Sequence, residues 1–187
     1  APTVGTATAG DKQASVTFTA PANTGGAAVT GYTVTSSPGG LTATGAAYPI
    51  VVTGLSNDTA YTFTVKATNS AGTSPASAAS NSVTPIAALA VSTTSLPNAQ
   101  MAVAYSQNLA ATGGTAPYTW AMTVGTLPAG LSMSTAGAIT GTPTAATTAA
   151  VAITVQVKDA NGKVTEQMVV FNEDNPRAVR MAAAMKN

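Results

Sequence analysis

Apolar and polar positions alternate along most of the chain. The runs "ASVTFTA" (14–20), "VTGYTVTSS" (29–37), "AYPIVVTGL" (47–55), "AYTFTVKAT" (60–68), "VAITVQVKD" (151–159) and "KVTEQMVVF" (163–171) set Val, Ile, Tyr or Phe against Thr, Ser or Lys. A period of two is that of a strand with one buried face. Between these runs stand "PANTGG", "SPGG", "SNDT", "NSAG", "ATGG", "LPAG" and "DANG", turn chemistry built on Gly, Pro, Asn and Asp. Turns recurring every 8 to 12 residues or so predict an all-β sandwich architecture. Helical periodicity is missing until after Phe171.

Parity along the strands assigns faces. Tyr32 and Val34 share one face, as do Tyr61, Phe63, Val65 and Ala67, which sends Thr62, Thr64 and Lys66 outward. The same counting places Tyr48, Ile50 and Val52 together, and Val151, Ile153, Val155 and Val157 inward beside an outward Lys158. Every aromatic of the first half is thereby expected in a core, leaving no row of exposed rings on which a sugar could stack. Outward Lys66 and Lys158 also argue against a buried Lys–Asn isopeptide crosslink.

One strand series ends at Pro85 and another opens at Val91, so the expected organisation is a β-sandwich over 1–85, a short linker over 86–90, a second sandwich over 91–171 and a charged tail over 172–187. A connector that short predicts a semi-rigid rod. At 187 residues, two domains of this size can each bury a core.

Composition sharpens the picture. Only 7% of residues are charged, and between Gln13 and Val157 the sole charges are Asp58 and Lys66. Faces of Thr, Ala, Ser and Gly follow. A net charge of +1, without a cationic cluster, lacks the footprint for nucleic acid. No run of about 18 apolar residues offers a membrane span, and "APTVGTATAG" has no signal-peptide regions, as expected if a signal were removed or the chain were an excerpt. With neither His nor Cys, Ser-His-Asp, Cys-His, His-ligated and thiolate chemistries are excluded. The body offers a paired-carboxylate hydrolase only Asp58 and, near the N-terminus, Asp11. The expectation is a non-enzyme without cofactor.

Residues 1–85 resemble a fibronectin type III domain. "VTGYTVTSSPGG" is similar to its third strand, with Tyr32 inward, and "GLSNDTAYTFTVKATNSAGTSPAS" to its turn and sixth strand. There Leu55 and Tyr61 have the spacing of the tyrosine corner, whose hydroxyl satisfies a backbone group at the crossing. Where the family usually has tryptophan on the second strand, this chain has Phe18, which implies a smaller core. No Arg-Gly-Asp occurs, so the integrin motif does not carry over; use as a spacer does.

Residues 90–171 resemble a bacterial immunoglobulin-like, cadherin-like family, on "AYSQNLAATGGTAPYTW", "GTLPAGLSMSTAGAITGTPT" and "ITVQVKDANGKV". Pro128 and Gly130 read as a tight turn, Leu131 and Met133 as a short inward-facing strand, and "GAITGTP" as a turn back through Gly141 and Pro143. Tyr118 and Trp120 share a face, and Trp120 is expected as the core anchor. Were it exposed, it would be the candidate ligand platform. The fold class is therefore two tandem antiparallel β-sandwiches with a short helical tail.

Two further groups carry chemistry. "KDANGK" puts Asp159 and Asn161 near Glu173 and Asp174, hard oxygen donors of the kind calcium takes; the alternative is a hairpin turn on Asn161 and Gly162. Asn57 in "NDT" fits the N-glycosylation pattern, or a structural turn. In "NEDNPRAVRMAAAMKN", Asp174 or Asn175 suits an N-cap, Pro176 the first turn, and Arg180 and Lys186 the later turns of a helix. Such a helix is marginal alone, so Pro176, Arg177, Arg180 and Met181 are candidate partner contacts. The expected role is a structural module of a secreted or surface-displayed bacterial assembly, by spacing, adhesion or filament packing. Its expected partners are copies of itself or neighbouring modules. The alternatives are an accessory region of a polysaccharide-degrading enzyme and a phage decoration module.

Overall fold

The computed structural model describes residues 1–145 and 150–171. The chain divides into two compact units, Ala1–Ala88 and a second beginning at Leu89.

In the first unit the alternating runs form two sheets. One joins β1 (Thr3–Ala9), β2 (Gln13–Thr19) and β5 (Ile50–Thr53) in the order β1-β2-β5. The other joins β3 (Gly31–Ser37), β4 (Thr42–Gly45), β6 (Thr62–Asn69) and β7 (Gly72–Thr73) in the order β4-β3-β6-β7. Both bury alternate residues, which meet in one core: Ala14, Val16 and Phe18 from β2, Tyr32 and Val34 from β3, Ile50 and Val52 from β5, and Phe63, Val65 and Ala67 from β6. The Phe18 and Tyr32 rings lie 4.6 Å apart, tilted by 49°. At the crossing into β6, the Tyr61 hydroxyl accepts a hydrogen bond from the Ser56 N–H at 3.1 Å over a buried Leu55.

The free edge of β6 is closed by a device that strand periodicity does not reveal. Ser74, Ser77 and Ser80 each donate a backbone N–H to β6, to the carbonyls of Ala67, Val65 and Phe63 at 2.8, 2.9 and 2.9 Å. Their hydroxyl oxygens accept the N–H groups of the same three β6 residues at 3.0 Å, while donating onward to the carbonyls of Pro75, Ala78 and Asn81. One residue in three thus satisfies both polar groups of one in two. Beyond β7 the edge is capped without a continuous strand.

Tyr48 corrects the parity count. It is 61% exposed, because β5 begins only at Ile50 and alternation does not extend back through Pro49. Its ring meets Phe18 edge-on at 5.9 Å.

The second unit contains β8 (Ala90–Val91), β9 (Ser95–Leu96), β10 (Tyr105–Asn108), β11 (Ala111–Thr112), β12 (Thr119–Val124), β13 (Leu131–Met133), β14 (Ala138–Gly141), β15 (Val151–Lys158) and β16 (Val164–Phe171). They form sheets ordered β12-β15-β16-β9, β10-β14-β13 and β11-β8. The β16–β9 pair is parallel; the other strand pairs are antiparallel. Trp120, Ile139, Ile153, Val155, Val157, Val169 and Phe171 fill the core.

Gly141 and Pro143 differ from expectation in part. Gly141 does not make a turn: it ends β14, the central strand of its sheet, and pairs with Tyr105 on one side and Leu131 on the other. Pro143 is buried and its carbonyl accepts the Ala102 N–H at 2.9 Å. The turn itself lies at Pro128–Gly130, where the Leu131 N–H reaches the Pro128 carbonyl at 3.0 Å. Among the described residues there is no helix, and none that could cross a membrane. The helix expected over the tail, with Glu173, Asp174, Pro176, Arg177, Arg180 and Met181, lies outside the described residues.

Candidate functional site

An open groove of the second unit adjoins Trp120. Its indole is 6% exposed and its backbone N–H donates to the Thr135 carbonyl at 2.9 Å, so the ring is a core anchor with one edge at the surface. Tyr118 beside it is half-buried, its hydroxyl donating to the Gly113 carbonyl at 2.6 Å. Between β12 and β13 opens a groove of about 540 Å³, walled by Trp120, Met122, Leu127, Pro128, Leu131 and Met133. Leu131 and Met133 face the core but stay half-buried, because beyond them lies the groove. No charged residue lines it.

A pocket of about 320 Å³ in the first unit is polar, bordered by Asn23, Thr24, Thr68, Asn69 and Ser74. Its most versatile group is already committed. The Asn69 amide donates to the carbonyls of Thr24 and Ala27, and its oxygen accepts the Ala71 N–H.

Asp159 is the buried carboxylate of the described chain, 5% exposed. One oxygen accepts the Thr115 N–H at 3.0 Å; the other accepts those of Asn161 at 3.0 Å and Lys163 at 2.8 Å. The Asn161 amide reaches the Thr115 hydroxyl at 3.0 Å. Asn161 and Gly162 form the hairpin tip, with the Gly162 N–H on the Asp159 carbonyl at 3.0 Å. The carboxylate thus ties the β15–β16 hairpin to the loop before β12. Among the described residues no three acidic, His or Cys side chains gather as metal ligands; Glu173 and Asp174 fall outside them.

Burial works to raise the Asp159 pKa, but the N–H donors of Thr115, Lys163 and Asn161, with the Lys163 charge, outweigh it and hold the group below its ordinary value. A depressed folded pKa contributes stability that is present above the unfolded value, about 3.9, and lost as pH falls through the folded one. Thermal melts of the second unit should therefore weaken below pH of about 4. Asp159→Asn should remove that part of the acid dependence; an unchanged acid profile would refute the carboxylate's role.

Asn57, the sequon residue, accepts the Lys12 N–H at 2.9 Å and donates to Asp11 at 2.9 Å, a structural turn contact. Lys66 and Lys158 are exposed.

Two sandwich units, each with its own apolar core, define a two-module protein of the all-β class. Its two modules are a fibronectin type III domain followed by an immunoglobulin-like domain: residues 1–83 match the family model "Fibronectin type III domain" and residues 83–172 the model "Putative Ig domain". Domains of these families are typically non-catalytic structural modules.

No curated protein matches the chain. Among solved structures, it is similar to the chicken CNTN1 FN1-FN3 domains at 13% identity and a TM-score of 0.41, covering 92% of this chain and 66% of that one. The human Desmocollin-1 ectodomain is similar at 14% identity and 0.39, covering 90% and 38%. The fibronectin(III)-like modules of Clostridium thermocellum CbhA are similar at 13% identity and 0.33, covering 93% and 94%. The chain spans less than two thirds of the length of the first of these.

Proposed function

We propose that the chain is a structural module of a secreted or surface-displayed bacterial assembly, acting by spacing, adhesion or packing of copies into a filament or layer. The observation that carries this reading is the outward face of the β12-β15-β16 sheet. A register shift between Met122 and Val124 turns Val124 to the side of Thr154, which pairs with Met168. Val124 is 63% exposed and Met168 57%, so two large apolar side chains flank Thr154 on an open sheet face. Charge on this face is confined to Lys158 and Glu166, of opposite sign, and β12 contributes none.

The rival reading, an accessory that grips polysaccharide, needs a row of exposed rings. Tyr48 is the one exposed aromatic residue among the described residues, and a single ring makes no row.

Sedimentation from about 1 μM to about 1 mM should show reversible self-association that Met168→Asp weakens by about tenfold or more. A chain that stays monomeric throughout, with no assembly containing it in electron micrographs of the source, would overturn the proposal.

A further inference from the structure

The turn between β9 and β10 carries side chains that a solvent-facing turn rarely does. The Val103 N–H donates to the Gln100 carbonyl at 3.2 Å, which sets Met101 and Ala102 at the corners. Ala102 takes a φ of +61°. That left-handed conformation is glycine's usual place in a turn, and it costs a residue with a Cβ about 1 to 2 kcal/mol. The Ala102 N–H is fixed to the Pro143 carbonyl at 2.9 Å, so the body of the unit holds the strained shape. What the turn lifts into solvent is apolar: Met101 is 56% exposed and Val103 52%.

The same unit has a recess of matching chemistry. The groove between β12 and β13, of about 540 Å³, is walled by Trp120, Met122, Leu127, Leu131 and Met133. Its volume lies within the roughly 300 to 1,000 Å³ of pockets that enclose a drug-sized molecule, room enough for two side chains. Neither surface bears charge, because no Asp, Glu, Lys or Arg occurs from Val91 to Val157. The two strands are drawn together at both ends of the groove, by the Trp120 to Thr135 hydrogen bond at one and by the connection through Gly125 and Gly130 at the other. A recess bounded in this way suits an inserted knob better than a strand or helix running through it. A copy's own tip does not reach its groove. The tip is fixed to Pro143 and leads into β10, and β14 separates β10 from β13 by about 10 Å at roughly 4.8 Å per strand.

We propose that the tip formed by Met101, Ala102 and Val103 of one copy inserts into the groove between β12 and β13 of a second copy, against Trp120, Leu131 and Met133. This rests on the reading that copies pack together, and it adds to the sheet face around Met168 a contact of a different kind. Tip and groove are different surfaces, so the contact is heterologous: each pair keeps a free tip and a free groove, and copies can add in series. The strained turn then has a use, since a tip already held in shape loses little conformational freedom on insertion. A tip of three residues buries less than the roughly 1,200 Å² of a standard interface, so the contact is weak and reversible.

Trp120 is the chain's single tryptophan, so its fluorescence reads the groove directly. The test uses the full chain carrying Met168→Asp, in which the sheet face contributes least. Quenching of Trp120 by acrylamide should fall by about twofold as concentration rises from about 1 μM to about 1 mM. Met101→Asp with Val103→Asp should abolish that fall. So should Ser132→Arg, which sets a charge on the groove wall. Met101, Val103 and Ser132 are all exposed, so these variants should keep their fold. Mixed in equal amounts, the tip variant and the groove variant should regain about half of the protection, as 1:1 pairs, because one supplies a groove and the other a tip. Quenching that does not change with concentration, in a parent chain that self-associates, would overturn this proposal and leave the sheet-face reading standing. Association undiminished by Met168→Asp would count against the sheet face alone. Variants that stay unprotected when mixed would also rule out insertion of the tip.

Discussion

Replacing Gly141 by alanine should destabilise the second unit by about 2 to 6 kcal/mol, a large share of an ordinary domain's stability of about 5 to 15 kcal/mol. Gly141 has a φ of +140°, which L side chains rarely adopt, and a Cβ built on it would strike the Gly130 carbonyl oxygen. Relief by movement is blocked on both sides, since Gly141 pairs with Tyr105 and Leu131 in the central strand of its sheet. The control is Gly39→Ala. Gly39 also has a positive φ, +86°, but nothing lies within 4 Å of its Cβ position. It should cost only the backbone term, about 1 to 2 kcal/mol. Amide resonances of the two units would report separately, because each core cluster draws on its own unit. If Gly141→Ala costs its unit no more than Gly39→Ala costs the first unit, close backbone approach is not what selects glycine there.

Trp120→Ala should cost about 3 to 5 kcal/mol. The ring is 6% exposed in a cluster with Ile139, Val155 and Val157, which are fully buried. The β12 backbone is tied to Lys158 through Gln156 by ladder pairing, and the Trp120 N–H to Thr135, so collapse around the cavity is restricted. For a unit of this size the melting temperature should fall by at least about 12 °C, with first-unit resonances unchanged. The same variant separates anchor from ligand platform. A platform residue would leave stability nearly intact and change only binding; a loss below about 1 kcal/mol would therefore return Trp120 to the list of ligand contacts.

The residues carrying the fold were legible because their signals are local. Period two in β2, β3, β6 and β15 is stated by the residues themselves, and the observed burial follows it. The tyrosine corner was readable from the Leu55–Tyr61 spacing, since the contact spans few residues. Tyr48 was misread because parity holds only inside a strand, and the chain starts pairing two residues later. Gly141 was misread because its requirement comes from Gly130, eleven positions away, and not from a turn of its own. The groove beside Trp120 was invisible for a similar reason: Met122, Leu127 and Met133 each look like core, and only their joint placement leaves a recess. The serine cap on β6 had a signal, Ser at 74, 77 and 80, that a search for periods of two and 3.6 passes over.

Sequence alone determined that this chain is all-β over its body, contains neither His nor Cys, and carries few charges, because alternation, composition and turn chemistry act residue by residue. Tertiary structure alone decided where those faces stay open. The bulge that turns Val124 outward, the parallel β9–β16 pair, the carboxylate of Asp159 gathering three N–H groups and the recess between β12 and β13 each depend on which distant strands meet. Such meetings are set by closure of the whole core, a long-range condition that no short stretch of sequence encodes.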